Sequence, residues 1–202
     1  MYIDTHCHLT SNDLLPHKED VLQRAAEAGV GKFVTVATNS ADAAIALREF
    51  ADMPRVFLAA GIHPHEAGKV IERDFESLIA LHKGDVAAAW RHRVVAVGET
   101  GLDFHYDFSP REVQERVFRA QLELACDIER PVIIHAREAE DRTCDILLDY
   151  PDLRDRVVFH CFSKGPHIAE RILEAGFWLS FTGVETFKNA DEILDTSKLC
   201  PA

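Results

Sequence analysis

The chain has 202 residues, 47% hydrophobic and 28% charged, with a formal charge of −12. This is the composition of a globular domain able to bury its own core, and it excludes disordered, collagen-like and coiled-coil chains. No apolar run is long enough to span a membrane and no signal peptide opens the sequence, so a cytoplasmic protein without membrane attachment is expected; its acidic surface repels nucleic acid at long range, and any phosphate chemistry needs a strong local cation.

Strand-like apolar runs alternate with helical patterns along the whole chain. A strand is expected over residues 2–6, then a helix over 18–28 closed by Gly29. A strand over 32–37 precedes a helical pattern over 40–52. Strands over 56–63 and 94–99 flank a helical pattern over 74–92. The clearest helix covers 110–129, with Ser109 as cap, Pro110 at its first position and Glu112 completing a capping box. Val113, Val117, Ala120, Leu124 and Ile128 form its apolar stripe. Strands over 131–135, 157–160 and 177–182 follow, separated by helices over 138–150 and 167–175. Gly176 closes the latter, and a last helical pattern covers 184–199. Short, nearly continuous apolar strands between helices indicate a parallel sheet covered on its faces. Seven strands are recognisable. A closed eight-stranded barrel needs one more and about 250 residues, and an open doubly wound sheet is the alternative.

The polar residues at the strand ends carry the chemistry. His6 and His8 lie two apart at the end of the first strand, on the same side of an extended chain. The pattern alone is weak, since His63-Pro64-His65 repeats it. The joint pattern is stronger: buried strands also end in Glu99, His135 and His160. A charge or imidazole closing an apolar strand is costly unless it is bonded. The carboxyl edge of a parallel sheet is where such folds build their sites. Imidazoles with a carboxylate suit Zn, Mn or Fe, and Mg where oxygen and water dominate. Four histidines and a glutamate exceed the needs of one tetrahedral ion and point to two. The five cysteines, Cys7, Cys126, Cys144, Cys161 and Cys200, form no Cys-x-x-Cys pair and read as reduced thiols.

Asp4-Thr5-His6-Cys7-His8-Leu9, Gly61-Ile62-His63-Pro64-His65, Gly98-Glu99-Thr100-Gly101-Leu102-Asp103, Pro131-Val132-Ile133-Ile134-His135-Ala136-Arg137 and Phe159-His160-Cys161-Phe162-Ser163 occur in that order. With these motifs the chain resembles, over essentially all its length, the TatD family of metal-dependent deoxyribonucleases within the amidohydrolase superfamily. The resemblance implies an α/β fold of the TIM-like (β/α) barrel type. It also implies two divalent ions (Mg, Mn or Zn), with His6 and His8 on one, His135 and His160 on the other, and Glu99 bridging them as the catalytic carboxylate. The implied activity is hydrolysis of phosphodiester bonds at DNA ends, as a 3′–5′ exonuclease. Family members carry a further Asp in a Glu-Thr-Asp-Ala-Pro-Tyr-like segment on an eighth strand, and the sequence stops before it. The expectation is therefore one hydrolase domain over residues 1–202, C-terminally incomplete, with a weakened His6/His8 site. A complete barrel is expected to be a monomer, whereas open sheet edges offer a route to dimers.

His63 and His65 are candidates for hydrogen bonds to a substrate phosphate, or for packing behind the ligands. Arg137 is a candidate phosphate contact or a rim ion pair, and Asp103 either orients a ligand or is a solvated loop carboxylate. A substitute for that acid would have to come from within the chain, for example Asp103 or Glu185, though no motif supports either. Lys164 is a weaker phosphate candidate, and Cys7 and Cys161 alternate with ligands and are expected to pack. Two other readings share these residues: an amidohydrolase-type ester or amide hydrolase, and an inactive metal-binding protein.

Overall fold

The computed structural model describes residues 1–84 and 86–200. Seven parallel strands pair in chain order: β1 (Tyr2–Cys7), β2 (Val30–Ala37), β3 (Val56–Ala60), β4 (Val94–Asp103), β5 (Val132–Arg137), β6 (Val157–Phe159) and β7 (Trp178–Leu179). They curl into a half-barrel. The helices are α1 (Lys18–Glu27), α2 (Ser40–Glu49), α3 (Glu72–His82), α4 (Arg111–Asp127), α5 (Glu140–Leu148), α6 (Pro166–Glu174) and α7 (Asp191–Ser197). The barrel-type reading of the alternating pattern holds. Among the described residues β1 and β7 do not pair with each other, and Tyr2, Ile3 and Trp178 stand exposed along these edges.

Side chains alternate between two faces of the sheet. Phe33, Leu58, Ala60, Val132 and Ile134 point outward into apolar layers beneath the helices. Val34, Val36, Ala59, Ala96, Ile133 and Val158 form a separate small cluster on the inner face. The period-two pleat carries that inner row upward: Ala59 leads to Gly61 and His63, Ile133 to His135 and Arg137, and Val158 to His160. The polar site is thus the top layer of the barrel interior.

Glu99 breaks this parity, because it is an odd number of residues from Ala96. The β4–β5 register resolves the conflict: Val97 pairs with Val132 and Thr100 with Ile134, so three residues of β4 oppose two of β5. This bulge turns both Gly98 and Glu99 inward. A side chain at Gly98 would press on the Ile133 carbonyl, at 2.8 Å. At Gly101 (φ 138°) it would collide with the His135 carbonyl oxygen. Gly101→Ala is therefore expected to displace β5 and with it His135, lowering stability by about 3 kcal/mol, a strained-backbone effect. Thermal melts of the two proteins check this, and a melt unchanged within one degree would contradict it.

Several local expectations are corrected. Ser109 does not cap α4, whose first residue follows Pro110, and the Ser109–Glu112 capping box is absent. The Ser109 hydroxyl instead accepts from Gly68 N (2.9 Å) and donates to His65 O (3.1 Å), a tertiary use that outcompetes the local one. The helical pattern over 74–92 divides at Gly84 (φ 91°), which ends α3, and a 3-10 turn follows at Ala88–Trp90. The pattern over 184–199 divides into a 3-10 turn at Gly183–Thr186 and α7. β7 has two residues rather than six, since only one neighbour holds it. β4 runs on to Asp103, four residues past the expected end. Gly29 (φ 90°) and Gly176 (φ 83°) close α1 and α6 as expected.

Candidate metal centre

Six histidines and two carboxylates converge at the carboxyl ends of β1, β3, β4, β5 and β6. Glu99 is buried at their centre, 2% exposed. Its two oxygens face different partners. Oε2 lies 3.3 Å from His6 Nε2 and 3.6 Å from His8 Nε2. Oε1 lies 2.6 Å from His160 Nε2, 2.9 Å from His135 Nδ1 and 3.5 Å from His63 Nε2. All five residues named as metal ligands from the sequence meet here, and the His6 and His160 rings stack at 3.8 Å.

The donor chemistry fits a cation beside Oε2. His8 Nδ1 is 2.9 Å from the Val36 carbonyl, which can only accept; the proton sits on Nδ1 and Nε2 presents a lone pair. His6 Nε2 lies 3.2 Å from that lone pair. Tetrahedral ligands held at about 2.0–2.1 Å from an ion are about 3.3–3.4 Å apart, close to the spacings seen among His6, His8 and Glu99. His6 Nδ1 is buried without a partner, leaving that ring unanchored on its far side. Around Oε1 the distances to His135 and His160 are those of charge-assisted hydrogen bonds. The donors close enough to share an ion there are His63, Glu99 and His135, so an ion held by His135 and His160 requires those two rings to rearrange around Oε1.

Asp103, fully buried, supports this cluster. Its Oδ2 lies 2.9 Å from His135 Nε2 and 2.8 Å from His65 Nε2. Its Oδ1 accepts from the backbone N–H groups of His105 (3.0 Å) and Tyr106 (2.9 Å). Of the two roles open for Asp103, the buried carboxylate is placed to orient His135 rather than solvated on a loop, and it is too engaged to serve as a substitute acid. Burial works to raise its carboxyl, but the Tyr106 N–H and the His65 and His135 contacts outweigh it, bringing it down to about 2. Burial likewise opposes ionisation of Glu99, yet hydrogen bonds from His135, His160, His6 and His63 hold it well below the usual carboxylate range. His135 moves upward despite its burial, because Glu99 and Asp103 favour the imidazolium.

His63 and His65 separate in role. The His65 backbone N–H donates to His63 Nδ1 (3.1 Å), so the neutral His63 ring carries its proton on Nε2. Burial depresses its pKa and keeps it neutral near pH 7. His63 is then a donor towards Glu99 or a substrate oxygen rather than a lone-pair ligand. His65 leans edge-on against Phe108 (4.8 Å) and faces Asp103. Arg137 is exposed over the Tyr106 ring, 4.6 Å from its centroid, and lines a cavity of about 410 Å³ with His135, His160 and Lys164. Lys164 is drawn 3.7 Å from Glu140. A second cavity of about 350 Å³, sharing His135 and His160, reaches Glu99 between His8, His63 and His65. The two hollows meet at His135 and His160. Cys7 Sγ turns to the Val34 carbonyl and Cys161 Sγ to Thr182, and neither joins the metal-ligating groups.

Sequence reading missed Gln114 and Gln121, both buried on α4. Gln121 accepts from Ile62 N (2.7 Å) and donates to Thr100 Oγ1 (2.7 Å), joining the ends of β3 and β4. Gln114 accepts from Asp103 N (2.8 Å) and donates to Asp103 O (3.0 Å). Their seven-residue spacing, in phase with the apolar stripe, was the available signal.

Comparison with known proteins agrees with this geometry. The family model described as TatD related DNase matches residues 3–202. The chain is 32% identical over 201 residues to YabD of Bacillus subtilis, called an uncharacterized metal-dependent hydrolase, covering 100% of this chain and 76% of that protein. It is 32% identical over 180 residues to TatD of Salmonella typhimurium, named a 3′-5′ ssDNA/RNA exonuclease, covering 89% of this chain and 66% of that one. The crystal structure of an Escherichia coli TatD homologue superposes with a TM-score of 0.89 at 34% identity, covering 99% of this chain and 75% of that one. No described helix is long and apolar enough to cross a membrane. A half-barrel closing on one carboxylate ringed by imidazoles, matched by this family from residue 3 onward, makes the chain a member of the TatD family of metal-dependent hydrolases.

Proposed function

We propose that the chain is a metal-dependent phosphodiesterase removing nucleotides from the 3′ ends of single-stranded DNA. The observation that carries this reading is the division of the Glu99 oxygens between the His6/His8 pair and the His135/His160 pair, beneath the two hollows. The name of the Salmonella relative supports the substrate class. His6 and His8 with Glu99 Oε2, and His135 and His160 with Glu99 Oε1, are the residues that would hold two divalent ions, Mg, Mn or Zn. Such ions supply positive charge to the scissile phosphate and acidify water.

The remaining residues bind and orient. Arg137 offers a guanidinium fork to a phosphate in a hollow whose other walls include acidic Glu138 and Glu140. His63 presents an N–H at the floor, and His65 a ring nitrogen held by Asp103. Asp103 keeps His135 turned so that Nδ1 faces Glu99. Incubation of a 5′-labelled single-stranded oligonucleotide with Mn is expected to yield a ladder shortened from the 3′ end, and chelation to stop it. Equal rates with and without chelator, or hydrolysis confined to small amides and esters, would overturn the reading.

A further inference from the structure

Tyr106 is 46% and Phe108 66% exposed. Tyr2, Trp178 and Phe187 are exposed too, but among the described residues Tyr106 and Phe108 are the exposed aromatic pair that stacks ring on ring. The two rings lie parallel, 5° apart with centroids at 5.3 Å, on the loop between β4 and α4. Arg137 already lies over the Tyr106 ring, so the open stacking surface of the pair is on the more exposed Phe108 ring. The loop is not free to fold the pair inward, because Asp103 Oδ1 grips the backbone N–H groups of His105 and Tyr106. The other oxygen of the same carboxylate holds His65 and His135. One buried group thus sets the aromatic pair and the metal cluster at a common spacing. Between them lie the His65 ring, 4.8 Å from Phe108 and 5.9 Å from His135, and the Arg137 guanidinium over Tyr106.

We propose that Tyr106 and Phe108 form a stacking platform for a nucleobase of the single strand whose phosphodiester reaches the Glu99 cluster, with Arg137 taking the adjoining phosphate. This deepens the phosphodiesterase reading and rests on it. An aromatic face beside a cation beside a phosphate-handling cluster is the repeating chemistry of a nucleotide: base, backbone anion, scissile bond. Stacking on aromatic rings is tolerant of base identity, because every base has a π face. The platform therefore implies binding without sequence preference. It also supplies non-electrostatic affinity, which a protein of charge −12 needs more than a basic one.

The test compares two strands in Mn buffer, each with phosphorothioate linkages at the 3′ end to slow cleavage. One is a hexathymidylate; the other has abasic nucleotides in its last two positions. The native chain is expected to bind the base-bearing strand about tenfold or more tightly than the abasic one. The Tyr106→Ala/Phe108→Ala double variant should lose that preference while binding the abasic strand within twofold of the native chain. Phe108→Trp should keep it. Circular dichroism melts confirm that the variants fold. Equal binding of the two strands by the native chain, no binding of either, or a preference retained by the double variant would overturn the platform. Failure of the underlying reading looks different: base-dependent binding persists but Mn yields no cleavage of an unmodified strand. Conversely, cleavage by the double variant at unchanged kcat/KM removes the platform and leaves the phosphodiesterase.

Discussion

Glu99→Gln is expected to abolish the proposed hydrolysis of single-stranded DNA, by about 10⁴-fold or more, and to reduce bound metal to one ion or fewer per chain. The substitution preserves size and one acceptor oxygen but removes the carboxylate that, among the described residues, lies between His6/His8 and His135/His160. Imidazoles alone bring no negative charge to offset the two dications proposed, so both proposed sites would weaken together. The metal-free protein should change as well. Glu99 is buried and accepts hydrogen bonds from imidazoles, and removing one partner of a buried ionic cluster costs about 3 kcal/mol. Elemental analysis after gel filtration, rates with Mn, and melts in chelator separate these effects. Two ions retained with a rate within tenfold of the native chain would remove Glu99 from the bridging role. Asp103→Asn should act more weakly and on a different quantity, lowering metal affinity or rate about 10–100-fold through the orientation of His135.

Arg93→Leu is expected to be the most damaging change away from the site, lowering the melting temperature by about 10 °C, or about 3 kcal/mol. Arg93 is 8% exposed at the amino-terminal end of β4. Its guanidinium donates to the carbonyls of Ala89 (2.6 Å), Ala51 (2.6 Å), Met53 (2.7 Å), Val56 (3.0 Å) and Phe50 (3.2 Å). It also lies over the Trp90 ring, 4.0 Å from the centroid. Four of these carbonyls, Phe50, Ala51, Met53 and Val56, end α2 and lead into β3, and Ala89 lies in the 3-10 turn before β4, so one side chain neutralises a cluster of backbone dipoles that leucine leaves facing an apolar group. Arg93→Lys should recover less than half of the loss, because an ammonium cannot reproduce the planar fork. Turnover per folded molecule should be unchanged in both variants, since Arg93 sits at the opposite end of the strands from Glu99. Melts and active-site-normalised rates check both statements. A melting temperature within two degrees of the native value would mean that water satisfies those carbonyls.

The strands and their order were legible because buried parallel strands are apolar on both faces and read as continuous runs, as in residues 32–37 and 131–135. The ends were less legible. β4 extends through Gly98 to Asp103 by pairing with β5, a contact between residues more than thirty positions apart that no local pattern encodes. The Ser109 cap failed for the same reason, its hydroxyl being claimed by Gly68 and His65.

The primary structure by itself determined which chemistry is available. Histidines two apart after one apolar run, and a carboxylate or imidazole closing three others, specify donors at one edge of a parallel sheet, because pleating places residues of equal parity on one face. Tertiary structure alone decided how those donors are shared. The extra residue in β4 reverses the parity of Glu99 and turns it inward, and the curl of the sheet then brings β1 and β6 close enough for one carboxylate to serve both. It also decided that Asp103 is buried between His135, His65 and the aromatic loop rather than solvated, with Gln114 on α4 holding its backbone. Parity is a local property of the chain. Register, curvature and burial are set by partners distant in sequence, and at this site they dictate which atom faces which.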